Sequence, residues 1–172
     1  MKLPLADFGP VRDALRALGA APLGVSDQED TFFRHPQRDF AATDEALRLR
    51  SAAGTLELTY KGPKQAGAAK ARLEQTVAVV EDPSALLASL GFQAVHRVRK
   101  RRESHRLDGL GVEVALDQVD GVGSYVEVEA MGTDAEEARR RMAEAVRRLG
   151  LDGVRPERRS YLEILLAAQT RV

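Results

Sequence analysis

The chain has 172 residues, no cysteine, and 26 Lys plus Arg set against 26 Asp plus Glu. Without thiols there can be no disulfide, no thiolate metal site and no cysteine nucleophile. The charge balance argues against nucleic acid as a partner, because counterion release needs a basic face. The length suffices for a core without covalent staples, and with no break in composition a single domain over residues 1–172 is expected. Met1-Lys2-Leu3-Pro4-Leu5 is too short for a signal peptide, and no apolar run approaches the ~18 residues of a membrane span, so a soluble, cytoplasmic protein with no membrane partner is expected.

Pro10 to Gly19 reads as a helix, with Pro10 in the first turn, Gly19 past the last, and Val11, Ala14, Leu15 and Leu18 as the apolar stripe. Val25 to Arg34 reads as a strand ending near His35-Pro36. Ala46 to Ser51 and Thr55 to Lys61 read as a hairpin turning at Gly54. Gly62-Pro63 opens a loop over residues 62–69, and Lys70 to Val79 is a further strand with Arg72, Glu74 and Thr76 on one face. Asp82-Pro83-Ser84 starts a helix that Gly91 ends. Phe92 to Glu103, then Val112 to Asp117, then Ser124 to Ala130 are strands. Thr133-Asp134-Ala135-Glu136 reads as a capping box with Thr133 as N-cap, opening a helix that Gly150 closes. Arg158 to Gln169 is a last helix on which Tyr161, Leu162, Leu165 and Leu166 pack. Hairpin-linked strands with few amphipathic helices predict an α+β, largely antiparallel fold.

Charge is confined to alternate positions of these strands. The cations are Arg48 and Arg50, Lys61, Arg72, and Lys100 with Arg102; the anions are Glu57, Glu74, Glu113 with Asp117, and Glu127 with Glu129. Side chains at i and i+2 of a strand share a face. Two readings fit. The charged faces are the solvated side of a half-buried sheet, or the helices cover the apolar side and the polar faces close as a barrel interior. In the second reading Arg forks and Lys point charges suit a triphosphate, and paired carboxylates such as Glu127 and Glu129 suit Mg²⁺ or Mn²⁺ shared with phosphates. No phosphate-binding Gly-x-x-x-x-Gly-Lys-Ser/Thr loop is present. His35, His96 and His105 lack metal-ligand spacing, and Ser104, Ser124 and Ser160 lack partners for nucleophilic work. Arg97, Arg99, Arg101 and Arg106 read as the outer face of a strand, and Arg139, Arg140, Arg141, Arg147 and Arg148 as an exposed helix face paired with Glu136, Glu137 and Glu144.

An ordered set of segments resembles the CYTH, or triphosphate-tunnel, superfamily, and within it the class IV adenylate cyclase branch. They are Gln28-Glu29-Asp30-Thr31-Phe32-Phe33; His35-Pro36 with Arg38-Asp39-Phe40-Ala41; Thr43-Asp44-Glu45-Ala46-Leu47-Arg48-Leu49-Arg50; Leu58-Thr59-Tyr60-Lys61-Gly62-Pro63; Arg72 with Glu74; Val98 to Arg102; and Leu116-Asp117 through Gly121-Val122-Gly123 to Glu127-Val128-Glu129. The resemblance implies an eight-stranded antiparallel, tunnel-like β-barrel with helices packed outside, binding a triphosphate with Mg²⁺ or Mn²⁺, and makes a homodimer plausible. Carried over by position, Lys2, Arg48, Arg50, Lys61, Arg72, Lys100 and Arg102 would contact phosphates. Lys100, Arg102 and Asp117 would form the reacting end, and Glu127 and Glu129 would hold metal. The family's first strand carries Glu-x-Glu-x-Lys; Lys2 aligns with that lysine and the two acids are missing, either because the true start lies upstream, which is the favoured reason, or because part of the metal site has been lost. The implied reaction is ATP cyclisation to 3′,5′-cyclic AMP and pyrophosphate. Hydrolysis of inorganic or thiamine triphosphate, and polyphosphate binding without turnover, stand as the alternatives.

Overall fold

The computed structural model describes residues 1–63, 72–130, 132 and 134–169. The elements run β1 (Lys2–Pro4), α1 (Gly9–Ala17), β2 (Ala21–Arg34), β3 (Ala46–Ala52), β4 (Thr55–Lys61), β5 (Glu74–Val79), α2 (Ser84–Ser89), β6 (Gln93–Leu107), β7 (Val112–Val119), β8 (Gly123–Ala130), α3 (Ala135–Arg148) and α4 (Tyr161–Gln169). The fold is α+β, with an eight-stranded sheet in the order β1-β8-β7-β6-β2-β3-β4-β5. The hairpin ladders β3–β4, β4–β5, β6–β7 and β7–β8 are antiparallel, as are β1–β8 and β2–β3.

Contacts group the chain into two compact units, Met1–Ser26 with Lys100–Val172, and Asp27–Arg99. The first unit builds its core on one face of β1, β6, β7 and β8. Leu3, Leu107, Val112, Val114, Leu116, Val126 and Val128 meet Val11 and Leu15 of α1 and Ala145, Val146 and Leu149 of α3. The strict alternation of Val112, Val114 and Leu116 turns the intervening residues to the other face, and Asp117 with them. The second unit packs Phe33, Phe40, Leu47, Leu49 and Leu87 together, with Leu56, Leu58, Tyr60, Val79 and Phe92 against them.

Several boundaries differ from the sequence reading, each for a local reason. β2 begins at Ala21 rather than Val25, because Gly19, at φ +67°, turns the chain directly out of α1. β6 continues to Leu107 rather than Glu103, because Ser104 to Leu107 pair residue by residue with Val112 to Ala115. β5 begins at Glu74, the partner of Lys61; Gly62-Pro63 ends β4, so Arg72 precedes the strand it was expected to share. The expected loop over 62–69 and the strand start at Lys70 fall largely outside the described residues. The N-cap of α3 is Asp134, whose carboxylate accepts the Glu137 N–H at 2.8 Å; Thr133 lies outside the described residues. The last helix opens at Tyr161 rather than Arg158, on a capping box that the sequence reading missed. Ser160 N–H donates to Glu163 at 2.5 Å, and Glu163 N–H donates back to Ser160 Oγ at 3.2 Å.

Candidate functional site

Each unit carries a cluster of charge on the face of its sheet opposite the core, and both clusters have the same local plan. A strand presents two cations at i and i+2, and the neighbouring strand presents an aspartate directly opposite the second cation.

In the second unit the strand is β3. Leu47 and Leu49 enter the core, so Arg48 and Arg50 are turned to the other face. Asp30 on β2 is the register partner of Arg50, and the Arg50 Nε and Nη2 donate to its two carboxylate oxygens, both at 2.7 Å. This is the bidentate fork that guanidinium geometry favours. Arg48 is held far less tightly. Its Nη1 stands 3.6 Å from Asp30, its Nη2 reaches the Thr59 hydroxyl only at 3.5 Å, and its buried Nε has no hydrogen-bond partner among the described residues. The side chain is nevertheless only 15% exposed. Burial therefore holds its pKa below that of an ordinary arginine, with Asp30 opposing and Arg50 adding to the shift. Thr59, opposite Arg48, shares a 3.0 Å hydrogen bond with Thr76 of β5. Lys61 Nζ lies 2.9 Å from Glu74, and the Arg72 Nε donates to the same carboxylate at 3.2 Å. Burial lowers the Lys61 pKa in spite of Glu74.

In the first unit Lys100 and Arg102 on β6 face Asp117 on β7, with Asp117 the register partner of Arg102. Asp117 is fully buried and receives donors from every side. Arg102 Nε and Nη2 donate at 2.7 and 2.6 Å, Lys100 Nζ at 3.2 Å, and the Tyr161 hydroxyl at 2.8 Å. Burial alone would raise this carboxyl, but the Arg102 fork, Lys100 and Tyr161 outweigh it and hold it below the usual aspartate range. Arg102 also engages Glu127, and these two carboxylates raise its pKa against the effect of burial. Burial pushes the Tyr161 phenol up, and the charges of Glu127 and Asp117 push it further. Lys2, opposite Glu127 in the β1–β8 ladder, places its Nζ 3.9 Å from that carboxylate and 3.9 Å over the Tyr161 ring, and donates to the Arg159 carbonyl at 2.8 Å. Burial lowers its pKa.

The burial of Lys100 and Asp117 and the part-burial of Arg48, Arg50 and Arg102 argue against a solvated sheet face for these positions. That reading describes Glu57 and Glu129, which are exposed. Of the expected metal ligands, Glu127 is engaged by Arg102 and Lys2, and Glu129 stands opposite Glu113. Among the described residues no group of three or more His, Asp or Glu is arranged to hold an ion by itself. One or two carboxylates do fit Mg²⁺ or Mn²⁺ when phosphate and water complete the shell.

Two members were missed by the sequence reading. Asp30 lies in the acid-rich run Asp27 to Asp30, where only the register with β3 tells which acid meets Arg50. The apolar pattern of the last helix marks Tyr161 only as a packing residue. It does pack, 5.3 Å from the Tyr125 ring, but its hydroxyl also serves Asp117. The segment with the densest resemblance to the family has a structural role over most of its length. His35 Nδ1 accepts the Gln37 and Arg38 N–H groups, both at 3.0 Å, and Glu45 takes hydrogen bonds from Thr43, Arg38 and Tyr60 at 2.8, 2.9 and 2.5 Å. These bonds latch Phe40 into the second unit's core, and only Arg48 and Arg50 at the far end of the segment reach the charged face.

Comparison with known proteins agrees with this architecture. The CYTH domain model matches residues 2–161. A Methanocaldococcus jannaschii protein provisionally named an adenylate cyclase is 34% identical over 169 residues, 95% of each chain. The PH1819 protein of Pyrococcus horikoshii superposes with a TM-score of 0.78 at 36% identity, over 96% of this chain and 97% of that one. A Hippeastrum protein provisionally named an adenylyl cyclase and described as having a dominant triphosphatase activity shares the fold at 18% identity and a TM-score of 0.73, over 97% of this chain and 94% of that one. The chain belongs to the CYTH domain family.

Proposed function

We propose that this chain is a metal-dependent enzyme acting on a triphosphate, with conversion of ATP to 3′,5′-cyclic AMP and pyrophosphate as its leading reaction. The observation that carries the reading is Arg48, a part-buried guanidinium whose buried Nε is unpaired among the described residues and whose nearest carboxylate oxygen is 3.6 Å away. A buried charge so loosely matched is costly unless an anion completes it. Arg50, Lys61 and Arg72 are the further cations of that unit proposed to serve a polyphosphate, and Lys2, Lys100 and Arg102 are the cations proposed for that role within the other unit. The relative in M. jannaschii supports the cyclase through its name.

In the reaction the ribose 3′-hydroxyl gives up its proton to solvent water as its oxygen forms a bond to the α-phosphorus, the bond from the α-phosphorus to the oxygen bridging to the β-phosphate breaks, and pyrophosphate leaves with that electron pair. Lys100 and Arg102 offset the charge that grows on the leaving group. Asp117 holds both cations in place; its oxygens already accept four hydrogen bonds, which leaves it poorly suited to take the 3′-hydroxyl proton. Glu127 and Glu129 would hold Mg²⁺ or Mn²⁺, which supplies Lewis-acid polarisation of the phosphate when bound.

The second reading is a triphosphatase, in which water attacks instead of the 3′-hydroxyl; the Hippeastrum protein associates that activity with the same fold. Product analysis with ATP and Mn²⁺, then with inorganic triphosphate, separates the two. Cyclic AMP with pyrophosphate establishes the cyclase, orthophosphate without cyclic AMP establishes the triphosphatase, and no product from either removes both. Glu129→Gln is expected to raise the Mg²⁺ concentration needed for turnover; an unchanged requirement takes Glu129 out of the metal site.

A further inference from the structure

Asp30 has no place in the cation set or the metal set, yet it is the most buried charged residue of the second unit's cluster, 6% exposed. It accepts both arms of the Arg50 fork and, among the described residues, is the only carboxylate within 4 Å of Arg48. A carboxylate inside an anion-binding group is a paradox on Coulomb's law alone, since it repels the ligand its neighbours attract. The geometry resolves it. Arg50 stands directly across the ladder from Asp30, and its two 2.7 Å bonds fix the plane of the guanidinium. Arg48, two residues earlier on the same face, is drawn toward Asp30 without closing on it. One arginine is pinned, and the other is kept oriented but incompletely neutralised.

We infer that Asp30 is a positioning residue of the anion site, one that orders Arg48 and Arg50 for a polyphosphate at the expense of raw electrostatic attraction. This rests on the reading of the cluster as a triphosphate site. It adds a residue to that site and a sign that charge alone would not give. Replacing Asp30 with Asn keeps the size and one acceptor oxygen but removes the negative charge. Simple Coulomb attraction then dictates tighter polyphosphate binding, whereas loss of positioning dictates weaker binding.

The experiment titrates metal-free tripolyphosphate into the full chain and into Asp30→Asn by calorimetry, well below the thermal midpoint of each. Alongside it, the arginine Nε–Hε resonances of both proteins are recorded without ligand. The expected result is an affinity at least tenfold weaker in the variant, with the Arg50 Nε–Hε resonance sharp in the parent and broadened in the variant while backbone amide shifts away from β2 and β3 stay unchanged. Equal or tighter binding by the variant overturns the inference. So does an unaltered Arg50 resonance. A parent chain that does not bind tripolyphosphate removes the reading of the site itself, and the resonances still decide whether Asp30 orders the two arginines. Should the Asn variant fail to fold, Asp30→Glu, which keeps the charge but displaces the carboxylate by one methylene, tests the same point. Weaker binding is expected there too, and parent-like affinity overturns the inference.

Discussion

The clusters of the two units are built on one grammar and end in opposite states. Arg50 faces Asp30 across the β2–β3 ladder as Arg102 faces Asp117 across the β6–β7 ladder, and both pairs are bidentate. The cation two residues earlier is Arg48 in one and Lys100 in the other. Asp117 is further supplied by Tyr161 from α4, and Lys100 approaches it to 3.2 Å. Arg48 approaches Asp30 only to 3.6 Å and leaves its Nε without a partner among the described residues. The first cluster is thus a satisfied network, and the second retains an incompletely matched charge. Satisfaction confers rigidity; an unmatched buried charge confers receptivity to an anion.

The sharpest way to break this contrast is to delete each aspartate. Asp117→Ala strands Lys100 and Arg102 in the interior and is expected to cost ~3–5 kcal/mol of stability by urea unfolding. Asp30→Ala is expected to cost less, about 1–3 kcal/mol, since it leaves chiefly the Arg50 fork unsatisfied. Equal losses would erase the distinction between the clusters.

Removing the earlier cations inverts the order. Arg48→Ala is expected to weaken triphosphate binding by roughly 1.5–3 kcal/mol, the worth of a charge-assisted hydrogen bond, with little change in the unfolding midpoint. Lys100→Ala is expected to weaken binding and also to lower the midpoint, because Asp117 loses a donor in a site without water contact. A stability loss in Arg48→Ala as large as that in Lys100→Ala would count against the reading of Arg48 as the under-matched cation.

Tyr161→Phe keeps the ring under Lys2 and removes only the hydroxyl donated to Asp117. A loss of about 1.5 kcal/mol in stability is expected, and no loss would mean that the tyrosine serves by packing alone.

The smallest effect is one of pH. Lys61 and Lys2 have pKa values lowered by burial, so each sheds its proton at a lower pH than a free lysine near ~10.4. Triphosphate affinity is therefore expected to decline as pH rises toward that value, and Lys61→Arg is expected to flatten the decline. An affinity constant with pH up to ~10.4 would exclude these amines from the contact.

Much of this was legible in the chain itself. Leu47 and Leu49 against Arg48 and Arg50, and Val112, Val114 and Leu116 against Glu113 and Asp117, give a period of two that assigns each side chain to a face before any partner is known. Local chemistry likewise set the hairpin at Gly54, which adopts φ +78°, and the helix end at Gly19. Period alone, however, could not say whether a charged face is wet. The burial of Lys100 and the exposure of Glu129 are decided by what lies over each strand position. Nor could it say which of Asp27, Glu29 and Asp30 meets Arg50. Glu29 pairs with Arg99 and Asp30 with Arg50, on opposite faces of the same strand.

The sequence by itself determined the strands, their two faces, the family and the cations, because side-chain alternation and turn chemistry act over a few residues. Tertiary structure alone decided how those charges are paired. Ladder register places Asp30 opposite Arg50 and Asp117 opposite Arg102, and α4 brings Tyr161 to Asp117 across 44 residues of chain. Those pairings depend on distances between strands and on which groups are left without water, and neither quantity is local.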